Sequence, residues 1–357
     1  MTIADRASGA VIGALVGDAL GLGPHWYYDI DELRAAHGEW ITDYQDPKPD
    51  RYHGGMKAGQ LDQTGLILVM LLRSVVENKG YRESDFTERL DRDLFPHLDG
   101  TPAQGPGGYT SQSIRDAYRK RRLQHLPWGE VAGPADTTEA AERAIVLAAR
   151  FARQPAEVAQ AVSSNCALTQ SDQTVMALST AFNLYLAMLV QGEPFTIELT
   201  DKLMDLVKSG DLPFHTVTTG KLQAPRPGDP DPSRGGKYPS PDALLTPAFI
   251  AEAVADPSIR IEPAWKVSLV YGMPCAIYHQ LPAAYYLAIR FPDDFESAVL
   301  HAVNGGGQNM ARACLTGALV GAQVGLSGIP KRFVAGLENS EELVSLARRL
   351  GELAAEG

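Results

Sequence analysis

Apolar residues recur along most of the chain at intervals of three and four, the helical period, and nowhere do they alternate for long. In the first such run Val11, Ala14, Leu15 and Asp18 fall at i, i+3, i+4 and i+7, so the one charge in the stretch sits on the apolar face. A carboxylate there needs a partner. On the same segment Gly9, Gly13, Gly17 and Gly21 recur every fourth residue, a ridge without side chains along which another helix can lie close. The spacing returns near the other end in Ala313, Gly317, Gly321 and Gly325. Glycine inside a helix costs about 1 kcal/mol relative to alanine, so two such ridges imply a packing need and predict that the two helices are neighbours. Further helices are predicted over 66–78, 138–153, 171–191, 196–209, 282–290, 295–303 and 340–353. An all-α fold follows. It is read as one domain over 1–357, since the ridges at its two ends pack together. Glycine and proline crowd at 99–109 and again at 223–242, a proline-rich loop that reads equally as a lid or as a disordered segment.

Composition narrows the function classes. The 357 residues are 45% hydrophobic and 21% charged, the profile of a packed globular chain rather than a disordered one. Lys plus Arg number 32 against 43 Asp plus Glu, a net charge of -11, which disfavours a phosphate-tracking nucleic-acid groove. The apolar segment 10–23 is shorter than the roughly 20 residues of a bilayer span and contains Asp18, so it reads as a buried helix. No membrane partner is expected. Cys166, Cys275 and Cys314 are far apart and show no zinc spacing, and the histidines show no HExxH pair. Reduced, buried thiols in a cytoplasmic protein are the expectation.

Three segments could carry chemistry. Asn304-Gly305-Gly306-Gly307-Gln308-Asn309 runs straight into the second ridge helix: either a backbone N–H cradle for an anion or a tight turn forced by close packing. Asp62, Gln63 and Thr64 open the next clear helix, where Asp62 is either an N-cap or a catalytic carboxylate. His25-Trp26-Tyr27-Tyr28 follows the first ridge and could stack on a planar ligand and exchange protons, or simply pack. His279, His215 and Tyr109 are weaker candidates.

With these residues in view a family resemblance emerges. Gly17-Asp18-Ala19-Leu20-Gly21 resembles the GDALG signature of the ADP-ribosylglycohydrolase family. Leu168-Thr169-Gln170-Ser171-Asp172 is similar to that family's mid-chain threonine-histidine segment, with Gln170 in place of histidine, and 295–330 resembles its C-terminal block. The resemblance implies a large all-α domain and a pocket holding two Mg²⁺ ions through a Thr-Asp-Asp-Thr run and an Asp-x-Asp-Thr run. Here those runs read Leu61-Asp62-Gln63-Thr64 and Gln308-Asn309-Met310-Ala311. Only Asp62 of the carboxylates remains, too little charge to hold two divalent cations. No binuclear site is expected, and at most a weak single Mg²⁺ at Asp62.

The reading is thus a metal-independent enzyme, a hydrolase or lyase on a small polar nucleotide- or sugar-like ligand. Asp62 and His25 share acid and base work. Gln63, Thr64, Gln308, Asn309, Gly306 and Gly307 position the ligand, with Trp26 and Tyr27 beside it. Asp18 braces the site, and Arg312 adds positive charge if it faces the pocket. A non-catalytic binding or structural protein on the same fold, and an ordinary Mg²⁺-dependent ADP-ribosyl hydrolase, are the competing readings. Substrate and oligomeric state have no signature in the sequence.

Overall fold

The computed structural model describes residues 1–215, 226–228, 236–240 and 247–357, with side chains at 247 and 248 excepted. The fold is all-α, and no strand forms among the described residues. The helices that position the site are α1 (Ile3–Leu22), α2 (Gln63–Asn78), α3 (Glu139–Arg143), α4 (Gln173–Gln191), α5 (Ile277–Arg290), α6 (Phe295–Val303), α7 (Asn309–Val324) and α8 (Ser340–Glu356).

Every residue of α1 from Ala7 to Leu22 is buried, so it is a central rod rather than a surface helix. It lies antiparallel on α7, because Gly9 faces Gly321, Gly13 faces Gly317, Gly17 faces Ala313 and Gly21 faces Met310. A methyl group on Gly9, Gly13 or Gly17 would overlap a backbone carbonyl of α7. The predicted pairing of the two ridges therefore holds residue by residue. At the far end Arg6 donates to the carbonyls of Ala322 and Gln323, 2.9 Å each, capping the C-terminal turn of α7.

Around the pair lie α4, α6 and α8. α4 is long and apolar enough to cross a membrane by length and composition, and 89% of that window is buried inside the protein. Two boundaries differ from the sequence reading. The helix expected from Pro282 starts at Ile277 and runs through the proline. Proline has no N–H to offer the carbonyl four residues back, which belongs to Tyr278, a residue 44% exposed. The helix expected over 138–153 is cut into Glu139–Arg143 and Ile145–Arg150, with Leu147 N–H bonding Ala144 O in a tighter turn. Of the proline-rich 223–242 segment, only 226–228 and 236–240 are among the described residues.

Candidate functional site

The C-terminal end of α1 and the N-terminal end of α7 meet at one end of the molecule, and the segments that follow or precede them are laced together. Trp26 N–H donates to Gly307 O, Gly307 N–H to Tyr27 O (2.6 Å), and Asn309 Nδ2 to Pro24 O. Gly306 and Gly307 both have left-handed φ, +63° and +59°, and a Cβ on Gly307 would lie 2.6 Å from Met273 O, so no other residue fits the turn. Trp26 is also left-handed, φ 65°, an unfavourable conformation for a bulky residue. It aims the indole inward: Trp26 Nε1–H donates to Gln308 Oε1 at 2.6 Å, and the indole stacks on the His25 ring at 4.7 Å.

That bond fixes the protons. Indole nitrogen can only donate, so the Gln308 atom it meets is the amide oxygen. His25 Nε2, 3.0 Å from the same oxygen, must then donate too. Burial, and secondarily the neighbouring His53, hold His25 well below its usual range, so it is neutral at physiological pH. Its Nδ1 is left as a bare lone pair, buried and without a partner. His53 packs edge-on against it at 5.0 Å and also has an unpartnered buried nitrogen, Nε2.

A second group of side chains continues inward from His53 to the carboxyls. Asp62 caps α2 by accepting from Gly65 N–H at 2.8 Å, and its own N–H donates to Asp18 Oδ2 at 3.0 Å. Gly65 is obligatory there, since a Cβ would lie 2.5 Å from that Asp18 oxygen. Desolvation, then the adjacent Asp62 charge, hold Asp18 well above the carboxylate range, so it carries a proton. Glu142, one layer deeper on α3, is pushed up to about 8, chiefly by burial. Glu139, one turn earlier, accepts from Thr137 and Ser113 hydroxyls.

The glycine-rich segment 104–110 closes the site from outside. Gly107, φ +81°, lies directly on the Asp62–Gln63 peptide with no room for a side chain. Gln63 Nε2 holds that loop through Pro106 O at 3.2 Å and Thr110 Oγ1 at 3.0 Å. Tyr109, Tyr52 and Trp26 form a triangle of edge-on contacts, 4.5 to 5.6 Å between centroids, and of the three Trp26 stacks on the His25 ring.

The predicted residues are thus partly gathered and partly not. His25, Trp26, Asp18, Asp62, Gln63, Gln308 and Asn309 converge. Tyr27 does not flank the site: it is buried beneath the Arg51 guanidinium, 3.8 Å from its ring, and against His37. Arg312 stands behind the glycine loop, donating to Ala302 O, Gly306 O and Gln280, and lends no charge to the pocket. Nor is the loop an open anion cradle, because the N–H groups of Gly306, Gly307 and Gln308 are taken by Val303 O, Tyr27 O and Met273 O. Thr64 is half-buried at the start of α2. His279 donates to Tyr271 O, a local tie. Sequence reasoning missed His53, Tyr52, Glu139 and Glu142. A signal existed for the last two: glutamates three apart in Glu139-Ala140-Ala141-Glu142, separated only by alanines.

All 357 residues, 1–357, match the sequence profile of ADP-ribosylglycohydrolase. The chain belongs to the ADP-ribosylglycohydrolase family. Among its relatives, Crystallin J1A of Tripedalia cystophora is 24% identical over 98% of this chain and 97% of its own length. An uncharacterized protein of Archaeoglobus fulgidus is likewise 24% identical over 98% and 97%. A solved structure described as an ADP-ribosylglycohydrolase-related protein complex superimposes with a TM-score of 0.61 and 17% identity, covering 99% of both chains, which is likeness of fold.

The two Mg²⁺ ions that the family resemblance implies do not suit this chain's donors. Leu61 and Met310 are apolar, and the Gln308 oxygen already accepts from Trp26 and His25. Gln63 is neutral, and one Asp62 oxygen caps α2. Among the described residues no group of three or more His, Cys, Asp or Glu side chains is arranged to hold a metal.

Proposed function

We propose that this ADP-ribosylglycohydrolase-like protein binds a small polar, sugar- or nucleoside-like ligand in the His25–Asp62 site and cleaves it, as a hydrolase or lyase, without a metal ion. One observation carries the reading. His25 Nδ1, His53 Nε2, Asp18 Oδ1, Gln63 Oε1 and Asn309 Oδ1 are buried polar atoms without hydrogen-bond partners. Each such atom costs about 1–3 kcal/mol unless something meets it, and one end of the fold concentrates five of them.

The chemistry assigned to the site uses a neutral pair. The His25 Nδ1 lone pair takes a proton from water or from the ligand, and the protonated Asp18 beside Asp62 is the reservoir from which a leaving group is protonated. Gln308 fixes the His25 tautomer, and the Gly105–Gly108 loop excludes water. Opening of that loop admits the ligand.

A metabolite library screened by thermal shift, with and without EDTA, identifies the ligand. At about 100 times its dissociation constant a ligand adds roughly 2.7 kcal/mol. With the ligand in hand, His25→Ala and Asp62→Asn are each expected to lower turnover at least about 100-fold, and EDTA to leave it unchanged. Full turnover in both variants would discard the assignment. A second reading, a non-catalytic binding or structural role, draws support from the relative named a crystallin and from the loop pressed onto Asp62. It predicts binding without turnover.

A further inference from the structure

Most of the unpartnered atoms of the site share a sign. Gln63 Oε1, Asn309 Oδ1 and the His25 Nδ1 lone pair are placed to accept hydrogen bonds. Asp18 Oδ1, on the protonated carboxyl, is placed to donate, and His53 Nε2 is free to be either donor or acceptor. Behind them stand the Asp18, Asp62, Glu139 and Glu142 carboxyls, close enough to influence one another's charge. The nearby cations are otherwise engaged. Arg312 serves backbone carbonyls and Gln280, Arg143 donates to Asn165 and Thr169 while facing Glu139, and Arg115 donates to Thr110 O and to Gln112. The glycine-loop amides, as described, already have acceptors.

The mouth is aromatic. Trp26, Tyr52 and Tyr109 meet edge to edge, Tyr28 and Tyr52 are about half exposed (52% and 48%), and Glu139 lies close enough to Tyr109 to act on its hydroxyl. Arg115 sits 5.8 Å from the Tyr109 ring. Aromatic rings attract organic cations electrostatically, and carboxylates complete such a trap. A phosphorylated ligand would meet the Gln63, Asn309 and His25 acceptors and the Asp62 charge, with the Asp18 proton and His53 Nε2 as the unpartnered donors described there.

Accepting that the site takes a small molecule, as proposed above, we propose that its ligand is an organic cation rich in N–H or O–H donors, a hydroxylated amine or a guanidine, rather than a phosphorylated nucleotide. The cation enters between Tyr52, Tyr109 and Trp26, its charge approaches Glu139, and its donors meet Gln63 Oε1 and His25 Nδ1.

The test is isothermal titration and thermal shift of the full chain with matched probes: glucosamine against glucose, butylguanidine against butylurea, and ADP-ribose and inorganic pyrophosphate as the anionic arm. The expected result is binding of at least one cation ten times or more tighter than its neutral partner, with no anionic binding. Glu139→Gln retains an acceptor for Thr137 and Ser113 and should lose that tenfold preference. Tyr52→Leu, at a half-exposed ring, should weaken the cation and leave the fold intact. Neutral or anionic probes binding as tightly as the cations would overturn the cation assignment while leaving a small-molecule site standing. No binding in any arm would overturn both.

Discussion

Glu142 is a carboxyl set among alanines, buried at 3% exposure, with Thr138 and Cys314 as its hydrogen-bonding neighbours. Burial comes first in lifting it from an ordinary value of 4.5 to about 8, and the Asp62 and Glu139 charges add to the lift. Between those values the folded protein holds a proton that the unfolded chain has released. Its stabilising contribution is therefore full below about 4.5 and is lost as pH rises through about 8, at up to about 1.4 kcal/mol per unit. His25 and His53 act in the other direction, since values held below 6.5 cost stability only as pH falls. Comparing Glu142→Gln with the parent isolates the carboxyl. The glutamine variant should gain stability relative to the parent steadily from pH 5 to 8 and no further above it. Urea midpoints at pH 5, 6.5, 8 and 9 measure this, and parallel curves for the two proteins would show that Glu142 is ionised throughout.

α1 and α7 approach so closely that each presents backbone, not side chains, to the other. Gly13→Ala sets a methyl against the carbonyl of Gly317 and also within 3.1 Å of the Phe295 ring, on two helices that are buried along this contact. Overpacking of this kind costs about 1–3 kcal/mol or more, and the propensity gained by alanine, about 1 kcal/mol, does not offset it. Gly80→Ala is the control, since its nearest neighbour is the Phe151 ring at 4.0 Å. Thermal melts should show Gly13→Ala lowered by several degrees and Gly80→Ala unchanged; equal melts would mean the ridges are not tight. These ridges were legible because glycine at every fourth position of an apolar helix weakens that helix, and only a close backbone approach offsets the loss. The start of α5 was not, because proline favours the first turn of a helix and Pro282 reads as a first helical residue, whereas here the helix runs through it. His53 and Glu142 were invisible for a different reason: the polar seam is assembled from 18–26, 53–63, 139–142 and 308–309, and no local pattern marks residues that meet only after folding. The glycine loop misled in the opposite sense, its amides being satisfied by carbonyls from the distant Tyr27 and Met273.

At the scale of the whole molecule the α1–α7 pair brings residues 282 positions apart, Trp26 and Gln308, into one hydrogen bond. The pair is fixed by backbone contact and by Arg6 at its far end, none of which involves the site. The fold can therefore hold while the sequence diverges, as the TM-score of 0.61 at 17% identity to a solved structure illustrates. This separation makes a graft informative. The variant Leu61→Thr, Gln63→Asp, Gln308→Asp, Met310→Asp supplies the family's carboxylates by composition. In this chain, though, Gln63 anchors Pro106 and Thr110, Gln308 anchors Trp26 and His25, and Met310 packs on Gly21. Three new carboxylates would join Asp18, Asp62 and Glu142 in a buried space, with desolvation to overcome and no cation present before metal binds. The graft is expected to keep its helical circular dichroism, because the contacts of Gly9, Gly13 and Gly17 are untouched, but to lose on the order of 3 kcal/mol or more of stability. Millimolar Mg²⁺ should not restore it, since shorter aspartates at 63 and 308 abandon the loop contacts that position them. Calorimetric melts with and without Mg²⁺ decide the matter. Recovery of the parental melting temperature by Mg²⁺ would mean that the backbone still holds a two-metal geometry.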